Sequence, residues 1–89
     1  MNHRDQDDLL RHNRVANLVQ QMLKERSIVQ SIATDDTLID AGLTSLDLVK
    51  LVFRVESEFD LTIPVCDITP DNFRTIGTIH GLVSRLLES

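Results

Sequence analysis

From Ser45 to Phe59 the chain runs without a Gly or Pro and sets Leu48, Leu51, Val52, Val55 and Phe59 at intervals of one, three or four. At about 100° per residue these side chains share one face, so the run reads as an amphipathic helix whose core face they form. Leu46, Val49 and Phe53 do not share it. They lie roughly 100° to 165° from the centre of that face, and so form a second apolar stripe on the same helix.

The rest of the chain supplies packing partners. Val15, Leu18, Val19, Met22 and Leu23, extended back by Leu9 and Leu10, predict a first helix from about Gln6 to Arg26. Thr75 caps a last helix with a stripe of Ile76, Ile79, Val83, Leu86 and Leu87. Gly77 and Gly81 within it each cost up to about 1 kcal/mol of propensity, which close packing against a neighbouring backbone would explain. Thr69 and Pro70 provide an N-cap and a first-turn proline for a short helix near Asp71 to Arg74. Residues 27–44 show no period, yet Ile28, Ile32, Leu38, Ile39 and Leu43 predict a loop anchored by its side chains. Leu61 to Val65 alternates like a strand, but no second strand candidate exists to pair it, so it reads as extended loop.

With 89 residues, 42% of them hydrophobic, the chain can bury one modest core. Its three aromatics are all Phe, so that core is aliphatic. The expected fold is all-α, a small four-helix bundle of three longer helices and one short one, forming a single domain over residues 1–89 with a flexible start at 1–5. A net charge of −5 disfavours nucleic acid and anionic membranes as partners, and basic protein surfaces match it better. No apolar stretch approaches the ~20 residues of a membrane span, and Met1 to Arg14 lacks the apolar region of a signal peptide, which together predict a cytoplasmic protein. Cys66, beside Val65, is expected to be a partly buried small apolar residue. His3, His12 and His80 lack ligand spacing, and apolar Leu38 falls where a calcium loop built on Asp35, Asp36 and Asp40 would need an oxygen, so no metal is expected.

The chemistry concentrates in Asp40-Ala41-Gly42-Leu43-Thr44-Ser45-Leu46-Asp47. Gly42 permits a tight turn, Thr44 is a favoured N-cap type, and Ser45 then stands where the loop becomes a helix. A phosphate on its hydroxyl would meet unsatisfied backbone N–H groups and the positive end of the helix dipole. Serines are common at helix starts, and an isolated match would mean no more than that. A hydrolase is disfavoured, since the segment lacks the second glycine of a nucleophile elbow and no strand precedes it.

Asp40-x-Gly42-x-x-Ser45-Leu46-Asp47 followed by a helix resembles the 4′-phosphopantetheine attachment site of acyl, aminoacyl and peptidyl carrier proteins, and the similarity covers most of the chain. The resemblance implies that a phosphopantetheinyl transferase, using coenzyme A and Mg²⁺, esterifies Ser45. It further implies a monomeric stand-alone carrier, itself not an enzyme, that holds an acyl or aminoacyl thioester and presents it to an activating ligase and downstream transferases. Leu46, Asp47, Val49, Lys50, Phe53 and Arg54 are the docking residues it implies, and Asp40 fixes the turn before Gly42. Where the commonest fatty-acid form has Asp before the serine, this chain has Thr44. With Lys50 and Arg54 interrupting the acidic face, that points to aminoacyl, peptidyl or specialised polyketide cargo. A fatty-acid-synthesis carrier is the alternative within the family, and an unmodified helical interaction module the alternative outside it.

Overall fold

The computed structural model describes residues 3–88, with side chains from residue 6 onward. Four α-helices follow one another, α1 (His3–Glu25), α2 (Leu38–Ala41), α3 (Ser45–Phe59) and α4 (Ile76–Glu88), with a single 3₁₀ turn at Val65–Asp67 and no strand among the described residues. The expected flexible start falls on residues 1 and 2, outside the described ones, and on the first turn of α1. The helix opens at His3, three residues before the sequence places it.

The short helix is real but stands elsewhere. Leu38–Ala41 forms it, whereas residues 70–73 make only a turn. Thr69 does cap that turn, its Oγ1 accepting the Asn72 N–H at 3.2 Å, but the chain must then enter the Thr75 cap of α4 within three residues and has no length for a helix. Asn72 instead spends its side chain on the Asp67 carbonyl, at 2.8 Å.

Helix α1 packs against both α3 and α4. Val15, Val19, Met22 and Leu23 of α1, Leu51, Val52, Val55 and Phe59 of α3, and Ile76, Ile79, Leu82 and Val83 of α4 fill a mainly aliphatic core, to which Phe73 and Ile63 add and in which Phe59 and Phe73 are the buried aromatics. Leu48 and Leu86 pack at its edge. Leu9 and Leu10, expected to extend the first stripe, are exposed, as is Leu87. The stripe of α1 continues instead through Asp8, Arg11 and His12, which lie within about 60° of Val15 around the helix. These meet α4 with polar contacts, His80 Nε2 with Asp8 Oδ1 at 2.8 Å and Arg11 with Glu88 at 3.1 Å.

The long connection is anchored as its apolar residues predict. Leu38 and Leu43 are buried, and Ile28 and Ile32 pack on the core, but Ile39, expected as an anchor too, is exposed. Backbone bonds tie it to the approach of α4, Leu38 N–H to the Arg74 carbonyl at 2.9 Å and Gly77 N–H to that of Thr34 at 3.0 Å. The expected close backbone is met only in part at Gly77, where a Cβ would stand 3.1 Å from the Thr34 Cγ2 methyl and 3.4 Å from the Thr34 carbonyl oxygen, and nothing in the structure explains Gly81. After α3, Asp60 in the left-handed region ends the helix, and the Glu56 carboxylate accepts the Ile63 N–H at 2.8 Å, holding the exit segment extended. Cys66 corrects its expectation, being free and exposed on the 3₁₀ turn.

Candidate functional site

The segment before α3 is built to end a turn and start a helix at one residue. Gly42 adopts φ 121°, a backbone conformation that requires glycine, and Ile28 Cδ1 packs against it where a Cβ would lie, 2.5 Å away. Its N–H closes on the Ile39 carbonyl at 3.0 Å. Thr44 is the N-cap of α3 and forms a reciprocal capping box with Asp47. Thr44 Oγ1 accepts the Asp47 N–H at 3.2 Å, and Asp47 Oδ2 accepts the Thr44 N–H at 2.9 Å. The box uses the N–H at the third helical position. Those of Ser45 and Leu46, at the first and second, have no acceptor within the helix and carry the positive end of its dipole.

Ser45 itself is exposed. It lines a cavity of about 640 Å³ whose walls include Ile39, Leu48, Val49, Ile68 and Phe73. Thr37 is also on that wall, and its Oγ1 is buried with no hydrogen-bond partner among the described residues. An exposed hydroxyl over two free backbone donors, beside an apolar cavity with one unused polar atom, fits a phosphodiester that carries an amide-containing chain.

The two stripes of α3 separate as the helical arithmetic predicts. Leu51 and Val55 are fully buried, while Leu46, Val49 and Phe53 are 63%, 51% and 65% exposed, so these three do not pack beneath the long loop. Lys50 is exposed beside them. Two expected docking residues stand differently. Asp47 is only 4% exposed, its carboxylate turned into the capping box and onto the Arg26 guanidinium, so it presents no side chain to a partner. Arg54 is held across to α1 by both carboxylate oxygens of Glu25, at 3.0 and 2.7 Å. That pair raises the Arg54 pKa and lowers that of Glu25. Asp40 is exposed within α2 and lines the cavity. His80 meets Asp8 and packs edge-on against His12 at 5.3 Å.

The Thr44 N–H, together with the Arg26 and Thr44 side chains, holds the Asp47 carboxyl below its ordinary range against the opposing effect of burial. Because the folded value is depressed, the stability this group contributes is complete above the unfolded value of about 3.9 and is lost as pH falls through the folded one. The backbone amides of Thr44 to Asp47 should therefore hold their NMR shifts from pH 7 to about 4 and move only below it. A transition of these amides centred above pH 4 would contradict the capping geometry.

An exposed serine at a capped helix start, beside an apolar cavity in an all-helical bundle, is an arrangement compatible with a protein that bears a covalently attached arm. The family model described as the phosphopantetheine attachment site matches residues 13–86, and the chain belongs to that family. Its cofactor is 4′-phosphopantetheine. The chain is 40% identical over 76 residues to aminoacyl carrier protein 1 of Bradyrhizobium diazoefficiens, a match spanning 85% of this chain and 84% of that one. It is 36% identical over 77 residues to aminoacyl carrier protein 2 of the same organism, spanning 86% of each. Among solved structures it matches a chain of the Bradyrhizobium japonicum glycine:[carrier protein] ligase complexed with glycylated carrier protein. That match has a TM-score of 0.69 and 39% identity, over 80% of this chain and 96% of that one. No helix among the described residues is long and apolar enough to cross a membrane, and no group of three or more His, Cys, Asp or Glu among them could hold a metal ion.

Proposed function

We propose that Ser45 is the attachment point and that this chain carries an amino acid, which it presents to an amino-acid-activating ligase through the exposed stripe of α3. The observation that carries the reading is the position of Ser45, exposed at the first residue of α3, with Leu46, Val49 and Phe53 running from it along one exposed face. When bound, the arm supplies a terminal thiol able to hold a carboxylic acid as a thioester. The chain's own residues do not transform the cargo. They hold the hydroxyl at a fixed helix terminus, balance the phosphodiester charge with backbone N–H groups, and offer an apolar surface that keeps the carrier docked while the partner acts.

The amino acid cargo is supported by two aminoacyl carrier relatives and by a structural neighbour described as glycylated. Lys50 on the docking face supports it as well, because a continuous negative face would speed encounter with basic fatty-acid synthesis enzymes and this face lacks one. The exposed, unpaired thiol of Cys66 suits a reducing compartment, which supports a cytoplasmic location.

Competitive loading of the pantetheinylated chain by an adenylating aminoacyl ligase and by a malonyl transferase, at low and moderate salt, tests the cargo. Aminoacylation that outpaces malonylation at both salt concentrations is the expected result. Efficient, strongly salt-dependent malonylation without aminoacylation would assign the chain to fatty-acid or polyketide synthesis.

A further inference from the structure

The C-terminal turn of α1 reaches the Ser45 turn at two points. Ser27 N–H bonds to the Lys24 carbonyl at 2.9 Å and Ile28 N–H to that of Leu23 at 2.9 Å, with Ser27 at φ 63°. This is the paired arrangement of a Schellman turn, with Arg26 as the last half-helical residue, Ser27 in the left-handed position and Ile28 beyond it. The turn fixes where the next side chains go. Ile28 is set against Gly42, close enough that any Cβ there would collide with it. Arg26 is set against Asp47, its Nε on the same Oδ2 that accepts both the N–H and the hydroxyl of Thr44.

Asp47 is nearly sealed from water while the Arg26 side chain is 42% exposed, so one charge is desolvated and the other is partly screened. A carboxylate buried without a cation is costly, and the least costly response is for Asp47 to swing outward. That movement would release Thr44 and return the third N–H of α3 to solvent. It would also bring a negative charge towards the helix terminus that has to accept a phosphodiester. Arg26 prevents both.

We propose that Arg26 is a positioning residue for modification of Ser45, acting through Asp47 and Thr44, with Ile28 bracing the other side of the turn at Gly42. The proposal rests on Ser45 being the attachment point. Arg26 pairs with Asp47 rather than with the Ser45 hydroxyl. It fixes the direction in which the first turn of α3 presents Ser45.

The test is transfer from coenzyme A by a broad-specificity phosphopantetheinyl transferase, with kcat and KM for the carrier measured separately for wild type, Arg26→Gln, Arg26→Lys, Asp47→Asn and the Arg26→Gln/Asp47→Asn pair. A misaligned hydroxyl lowers kcat, so Arg26→Gln should lose about tenfold in kcat with KM within about twofold, and Arg26→Lys should recover most of the loss. The double variant should be no slower than the slower single one, since both act through one contact. In ¹H–¹⁵N spectra without transferase, Arg26→Gln should shift the Thr44, Ser45 and Leu46 amides and leave those near Phe59 in place. A wild-type kcat in Arg26→Gln, or a loss confined to KM and relieved by salt, would overturn the proposal and make Arg26 a partner contact or a bystander. A global spectral change in Arg26→Gln with none in Arg26→Lys would also overturn it, giving the ion pair a purely structural role. If wild type itself were never modified, the Ser45 reading would fall. The amide shifts would still decide whether Arg26 holds the turn.

Discussion

The Ser45→Ala chain is expected to fold as wild type does and to gain no pantetheinyl mass on incubation with coenzyme A and a broad-specificity transferase. Removing the hydroxyl takes nothing from the fold, because Ser45 is exposed and the cap of α3 is made by Thr44 and Asp47. It removes the only group of this turn that combines exposure, a nucleophilic oxygen and two free backbone donors beside it. Intact-mass spectrometry with a thermal melt on the same samples reads both halves. A mass gain in Ser45→Ala would move the attachment to another residue. A wild-type chain that stayed unmodified while a control carrier was converted would turn the exposed stripe of α3 into an interaction surface without an arm.

Leu51→Ala and Phe53→Ala, two residues apart on α3, are expected to separate stability from recognition. Leu51 is fully buried in the core, and truncating it should cost about 2–5 kcal/mol, a large share of what a domain of this size possesses. Phe53, 65% exposed, has little burial to lose. Its truncation should shift the denaturant midpoint far less yet slow aminoacylation, as loss of an aromatic anchor does at a protein interface. Equal damage to stability by both would place Phe53 in the core. Full-rate loading of Phe53→Ala would remove it from the docking surface.

Much of this behaviour was legible from residue order because it rests on local geometry. The two stripes of α3 follow from the angle between successive helical residues, and burial separates Leu51 and Val55 from Leu46, Val49 and Phe53 in the same way. The start of α3 and the Thr75 cap of α4 were legible for a similar reason, as each is a contact between residues three apart. Period alone also places Asp8, Arg11 and His12 on the buried-facing side of α1, ahead of Leu9 and Leu10. Apolarity misled there because a helix face is set by phase, and the phase of α1 carries polar residues to α4.

Residue order alone points to a helical bundle with a mainly aliphatic core, a serine at the first residue of a capped helix, and an apolar strip leading away from it. Which charges are available, and where the short helix lies, follow from contacts between residues far apart in the chain. Asp47 and Arg54 sit on the right helix for docking, but each is claimed by a residue 21 or 29 positions earlier in the chain, Arg26 and Glu25, and no local pattern encodes a pairing at that distance. The short helix formed at Leu38–Ala41 because Leu38 and Ala41 could be buried there and the Leu38 N–H could reach the Arg74 carbonyl. The better local signals at Thr69 and Pro70 yielded only a turn. Local signals nominate a helix, but a segment this short forms one only where packing from distant residues offsets the cost of ordering it.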